Sequence, residues 1–222
     1  MALFHKRTSA EMKELRNWSI VLPVGSIEQH GPHLPLDTDS VLVEAIAEEV
    51  GDMTEVLVLP ALVYSVSEEH MDFPGTLTLK PETFKDTVKD IAGSLLAQGF
   101  SRLHILNYHG GNKEHLTALL PELESMGLRV CIHGVLGRVG KFDHAGEVET
   151  SLMLFLFPDR VRTEKIKEFE YKVPKGADWR TVDYAKEGVI GDATKASAEK
   201  GLEYFKKIVS ELVKEIEDEE RE

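Results

Sequence analysis

Residues 28–39 crowd together Glu28, His30, His33, Asp37 and Asp39, held among Gly31, Pro32 and Pro35. They follow an apolar run, Ser19–Val24, that stops at Gly25. Glu28 and His30 are two apart, so in an extended segment their side chains leave the backbone on the same side. The Pro/Gly stretch lets the chain turn and bring Asp39 back toward that point. Carboxylate plus imidazole is the ligand mix of Zn²⁺, Mn²⁺ or Fe²⁺, not of a thiolate site or a calcium cage.

Glu28, His30, Asp39 and His109 form a candidate ligand set for one or two divalent ions. A carboxylate such as Asp39 can bridge two metals roughly 3.5–4 Å apart, and the pair can deprotonate a water between them. The resulting hydroxide would attack a carbonyl or C=N carbon while a nearby acid protonates the departing nitrogen. His144 and Glu149 are the catalytic candidates, with Glu149 available as an extra ligand. Ser67, His70 and Asn112 are the substrate-binding candidates. Plainer roles compete. Asp39 is placed to cap a helix, with Asp37 as the other carboxylate able to do so. His33 and His115 read as surface or capping residues, His104 as a core or interface residue, and Cys131 as buried and inert. Glu147 reads as a helix N-terminal acid favoured by the dipole. The coincidence of so many ligand types on loops favours the metal site.

The elements that must position these groups alternate. A short helix over 11–17 precedes the strand Ser19–Val24; a helix over 40–50 follows, ended by Gly51. A second strand spans 55–60, then a helix opens at Pro81 and is closed by Gly99. A third strand, 102–107, runs into Tyr108-His109-Gly110-Gly111-Asn112, followed by a helix over 113–126 and a fourth strand over 128–133. A helix starts near Gly146, residues 159–190 read as irregular, and a long helix covers 196–219. Such alternation predicts an α/β fold, a three-layer α/β/α sandwich around a mainly parallel sheet. Ligands then bind beyond the carboxyl ends of the strands, where the candidate residues cluster.

The chain has 222 residues, 42% hydrophobic and 29% charged, which suits one globular domain over 1–222. A net charge of −13 argues against a basic nucleic-acid face. One cysteine excludes an internal disulfide, and no apolar run reaches the length of a bilayer span. The absence of a signal-peptide pattern leads to a cytoplasmic expectation.

The motifs Gly25-Ser26-Ile27-Glu28-Gln29-His30-Gly31-Pro32-His33, Ser67-Glu68-Glu69-His70, Asn107-Tyr108-His109-Gly110-Gly111-Asn112, His144-Ala145-Gly146-Glu147-Val148-Glu149 and Gly188-Val189-Ile190-Gly191-Asp192 occur in this order. In this the chain resembles the creatininase (creatinine amidohydrolase) family. The resemblance implies an α/β/α sandwich, hydrolysis of amide C–N bonds at a two-metal site of zinc, manganese or iron, and homo-oligomers, hexamers among them. It implies that Glu28 and His109 bind one metal and His30 the other, with Asp39 bridging. Two departures stand out. The creatinine enzyme has a carboxylate ligand two residues after the histidine matching His109, where this chain has Gly111; Glu149 is the candidate replacement and water the alternative. It also has a tryptophan four residues before the histidine matching His144, where this chain has Gly140, and neither Trp18 nor Trp179 fills that place by sequence. The expected activity is hydrolysis of a small amide, lactam or formamide. The alternatives are a formamidopyrimidine-nucleotide deformylase of archaeal riboflavin/F420 biosynthesis, a cofactor-precursor peptidase and a creatinine amidohydrolase. Arg138, Lys141 and Lys195 are the phosphate-binding candidates that a nucleotide would need. A non-catalytic metal-binding module is the reading from another class.

Overall fold

A computed structural model describes residues 2–140, 143–174 and 179–221; Lys141 lies outside them. Helix α1 (Ser9–Met12) precedes strand β1 (Ser19–Val24), followed by α2 (Thr38–Met53), β2 (Val56–Val58), α3 (Pro81–Ala97), β3 (Arg102–Asn107), α4 (Lys113–Ser125), β4 (Arg129–Gly134), α5 (Glu147–Leu156), α6 (Thr181–Tyr184) and α7 (Ala198–Arg221). The four strands pair in the order β2-β1-β3-β4, all parallel.

Both faces of this sheet are covered, and the alternation of each strand divides its residues between two cores. Ile20, Leu22, Val24, Leu103 and Ile105 face α3 and α4, where they pack with Phe84, Val88, Leu116 and Leu123. Val21, Val58 and Leu106 face the other way, toward Leu42 and Ile46 of α2, Leu152 of α5 and Leu212 of α7. The result is the expected three-layer α/β/α arrangement. It leaves the loops after β1, β3 and β4 on one edge.

Several boundaries differ from the sequence expectation. Helix α1 begins earlier because Thr8 and Glu11 form a reciprocal capping box, with the Glu11 carboxylate 2.7 Å from the Thr8 amide. Helix α2 begins at Thr38, so Asp39 lies inside the first turn and is not the cap. Asp37 holds the N-cap position but makes no side-chain cap; its carboxylate pairs with Arg160 at 2.6 Å. Gly51 does not end α2. A Cβ there would lie 2.6 Å from Val58 Cγ2 and 2.7 Å from Ala2 Cβ, so its smallness lets the helix pack directly on β2. Gly99, with φ 95°, follows α3 as expected. Cys131 is half-buried, not fully enclosed; burial and then the adjacent Glu219 push its thiol up to about 11.

Candidate metal centre

The first two ligand-bearing segments are brought together by Gly25. A Cβ at that position would sit 2.6 Å from Ser40 Cα, so only glycine lets the first turn of α2 lie against the exit of β1. Ser40 Oγ donates to the Ser26 carbonyl at 2.7 Å, and Ser26 Oγ donates to Asp39 Oδ2 at 2.9 Å. Asp39 is thereby aimed back over the loop that carries Glu28 and His30.

Its two oxygens face different imidazoles. Asp39 Oδ1 is 3.0 Å from His30 Nε2, and Asp39 Oδ2 is 3.2 Å from His109 Nδ1. On the His109 side, Glu28 Oε2 is 3.1 Å from the same Nδ1. On the His30 side, Glu149 Oε2 is 3.5 Å from His30 Nε2 and accepts from the Ala145 amide at 2.6 Å. Ala145 holds φ 53°, a left-handed conformation that costs a non-glycine residue energy and that sits directly beside this contact. Two triads of ligand atoms therefore share Asp39: Glu28, Asp39, His109 and His30, Asp39, Glu149, each within 4.8 Å. A third, Glu28, His30 and His144, bridges the pair.

The ring nitrogens behind the site are also engaged. His109 Nε2 donates to the Val66 carbonyl at 2.8 Å, with Ser67 Oγ 3.3 Å away, and His30 Nδ1 donates to the Glu28 carbonyl at 3.2 Å. Each imidazole thus turns its other nitrogen toward the carboxylates, the one a metal would take in place of its proton.

The electrostatics call for cations. Glu28 is fully buried, and neither of its carboxylate oxygens receives a hydrogen bond. Burial would raise its pKa, but the imidazoles of His109 and His70 hold it well below the usual range. Burial opposes protonation of His30, yet Asp39 and Glu149 outweigh it and raise His30 to about 10. His109 is raised in the same way, by Glu28 and Asp39 against burial. Glu149 is pushed up to about 8 by burial, with Asp39 and Asp143 adding to it. Without cations, the cluster must take up protons to offset its carboxylates. This donor set fits divalent transition metals.

The remaining candidates fall into two groups. His70 and His144 reach Glu28 Oε1, with ring nitrogens at 3.3 and 3.7 Å, and stack on each other with centroids 4.4 Å apart. Burial depresses both, His70 to about 4. Asn112 faces the backbone instead, donating to the Gly25 carbonyl at 3.2 Å and accepting from the Val66 amide at the same distance. It ties two site loops together. Gly111 has no room for a side chain, since a Cβ would be 2.5 Å from the Val66 carbonyl and 2.6 Å from His109 Nε2.

Sequence reasoning passed over Gln29 and Thr181 and set Trp179 aside. The Gln29 carboxamide reaches both His70 and His144. Thr181 Oγ1 is 2.8 Å from His70 Nδ1, and Trp179 meets the His70 ring edge-on at 6.2 Å. Gln29 sat inside the first motif; Thr181 and Trp179 lie in the irregular region, where no periodicity marks them. His33, given little weight, is buried and pairs with Thr150 at 2.9 Å, which braces the start of α5 next to Glu149.

A profile of the creatininase family, described as creatinine amidohydrolase, matches residues 5–216. The chain belongs to the creatininase family. A mycofactocin precursor peptide peptidase from Mycobacterium ulcerans is 33% identical over 94% of this chain and 89% of its own length. The creatinine amidohydrolase of Pseudomonas putida is 31% identical over 82% of each chain. A manganese creatininase structure superposes with a TM-score of 0.87 at 26% identity over 98% of both chains, and a creatininase variant in zinc–zinc form with 0.84. This creatininase-family chain is thus an amidohydrolase by kinship, with a cluster of candidate metal ligands at the expected sheet edge.

Proposed function

We propose that this creatininase-family protein hydrolyses the C–N bond of a small amide, lactam or formamide at a centre of two divalent ions (zinc, manganese or iron). The observation that carries the reading is the position of Asp39, with one oxygen toward His30 and the other toward His109. Glu28 and His109 would hold one ion, His30 and Glu149 the other, and Asp39 both. Such a pair supplies water activation and polarisation of the amide carbonyl. Gly111 excludes a carboxylate ligand from its own position, and Glu149 enters the His30 triad from α5.

The rest of the chemistry belongs to side chains. His144 turns Nδ1 toward Glu28, and burial keeps it neutral, so it can accept a proton from the attacking water and return it to the departing nitrogen. His70 steadies Glu28 from the other side. Ser67 supports His109, and Trp179 supplies an apolar wall beside His70.

Within the family, the peptidase reading gains support from a groove of about 420 Å³ lined by Pro32, Phe73, Lys165, Lys186 and the Lys167–Glu187 pair, with Glu164 beside them. Pro32 and Phe73 lie two and three residues after His30 and His70, and the mixed charges of the lining suit the polar backbone and termini of a peptide. The nucleotide reading loses ground. Arg138 is held by both Glu215 oxygens at 2.7 Å, and Lys195 by Asp192 at 2.9 Å. Exposed Tyr64, Met71 and Leu77 offer apolar surface for a homo-oligomer contact, which sedimentation would test. The deciding experiment measures metal per subunit and then turnover on a panel of lactams, formamides and short peptides. About two ions per subunit with hydrolysis of one class supports the proposal; a chain that takes up no zinc, manganese or iron refutes it.

A further inference from the structure

Gln29 stands between two ligand candidates, and its carboxamide is buried. The amide oxygen accepts from the Gly31 N–H at 3.0 Å, and Nε2 donates to the Gly188 carbonyl at 3.0 Å. Those two bonds fix which end of the amide is which. The same Nε2 lies 3.0 Å from His70 Nδ1 and 2.9 Å from His144 Nε2. His144 Nε2 is also 3.0 Å from the backbone carbonyl of Gln29 itself.

Counting hydrogens separates the possible assignments. A carbonyl can only accept, so the contact to Gln29 O requires a hydrogen on His144 Nε2. The two amide hydrogens then serve Gly188 O and His70 Nδ1, and every acceptor is satisfied. The 2.9 Å approach of the amide to His144 is a passage of two donors, each aimed at its own acceptor. With His144 Nε2 bare, the Gln29 carbonyl has no donor among the described residues. The Thr181 hydroxyl, 2.8 Å from His70 Nδ1, can relieve the shortage at His70 but not at that carbonyl. Unpaired buried carbonyls are rare because they cost the full loss of hydration.

We propose that Gln29 is a positioning residue that sets the tautomers of both imidazoles facing Glu28, placing the hydrogen of each on Nε2. His70 then turns a protonated Nε2 toward Glu28 Oε1, 3.3 Å away, while His144 turns the bare Nδ1 toward the same oxygen at 3.7 Å. One residue thus gives the site a fixed donor and a fixed acceptor. Gly188 is built for this contact: it holds φ 78°, and a Cβ at that position would overlap the Gln29 amide oxygen, so the loop closes directly onto the carboxamide. The use of these tautomers in proton transfer rests on the hydrolase reading; their assignment does not.

The test is ring-¹⁵N histidine NMR on the full chain, loaded with zinc, for the native protein and for Gln29→Glu and Gln29→Leu. The native spectrum should show His70 and His144 both protonated on Nε2. Gln29→Glu keeps the shape but replaces the donor with an acceptor, so in the folded variant His70 should move its proton to Nδ1, with a lowered melting temperature from the lost bond to the Gly188 carbonyl. A native His144 protonated on Nδ1 overturns the proposal, whether or not either variant folds. So does an unchanged His70 tautomer in a folded Gln29→Glu protein, which would make Gln29 a structural brace alone; Gln29→Leu, where Thr181 can still donate to Nδ1, should keep the native tautomer. A chain that binds no zinc leaves the same spectra to decide the tautomers, so failure of the hydrolase reading is seen separately.

Discussion

Asp39 serves both halves of the centre, whereas Glu149 serves one, and the two should fail differently. Asp39→Ala removes the shared carboxylate and leaves His30 and His109 facing each other across a gap, so both ions should be lost. Glu149→Gln leaves the Glu28, Asp39, His109 triad whole, so one ion per subunit should persist. Metal analysis after gel filtration distinguishes the two patterns; equal loss in both variants would refute the division into triads. Proton release gives an independent check at the same scale. Near pH 7 the metal-free site carries protons on His30, raised to about 10, on His109 and on Glu149, raised to about 8. Metal must displace them, so binding should release on the order of two protons or more per subunit and weaken as pH falls. Calorimetry in buffers of different ionisation enthalpy measures this number. Release near zero would mean that the site is already deprotonated.

At the scale of elements, the centre depends on how closely α2 approaches β1. Gly25→Ala would put a methyl group 2.6 Å from backbone Cα of Ser40, where no side-chain rotation can relieve the clash. The helix start must shift, and Asp39 with it. The expected cost is about 1–3 kcal/mol in stability, with metal affinity falling roughly 10–100-fold, as loss of a support around a metal ligand does. Urea unfolding and a competitive chelator titration read the two effects separately; unchanged affinity would show that Asp39 does not depend on this packing. The same element shows what was legible beforehand. Strand β3 and the start of α4 agree with their sequence patterns, because a short stretch around Leu103, Ile105 and Leu106 and a helix that follows Gly110-Gly111 need no distant partner. Asp39 looked like a cap because local signals cannot show that α2 begins two residues early, and Gly51 looked like a stop because its close neighbours, Val58 and Ala2, belong to other segments. Glu28, His30 and His109 stood out by type and spacing. Gln29 and Thr181 did not, since their meaning arises only when loops far apart in sequence meet at His70.

At the scale of the molecule, the edge that carries the candidate metal centre is opposite the place where the end of the last helix is fastened. The end of α7 crosses the starts of β1, β3 and β4: Glu220 accepts from Ser19 Oγ at 2.5 Å and Arg102 at 2.7 Å, and lies 3.0 Å from His104 Nε2. Glu215 holds Arg138 in a two-point pair and meets His133 Nδ1 at 3.0 Å, while His104 and His133 touch at 3.1 Å. His104 is therefore an interface residue of this clasp, and the acidic C-terminal helix is engaged by its own sheet. The hydrogen bonds from Arg138 lower Glu215 to about 2. A carboxylate depressed on folding contributes stability that is complete above its unfolded pKa of about 4.3 and is lost as pH falls toward the folded value. His104 is lowered by burial, so the unfolded chain takes up its proton first and stability also falls as pH drops below about 6.5. Both groups make acid loosen the clasp. Glu215→Gln should therefore be less stable than the native chain at pH 7 and converge with it near pH 2, as read from urea midpoints across that range. The partial exposure of the pair keeps the pH 7 difference to about 1 kcal/mol. A constant gap between the two proteins at every pH would show that Glu215 contributes by packing and not by its charge.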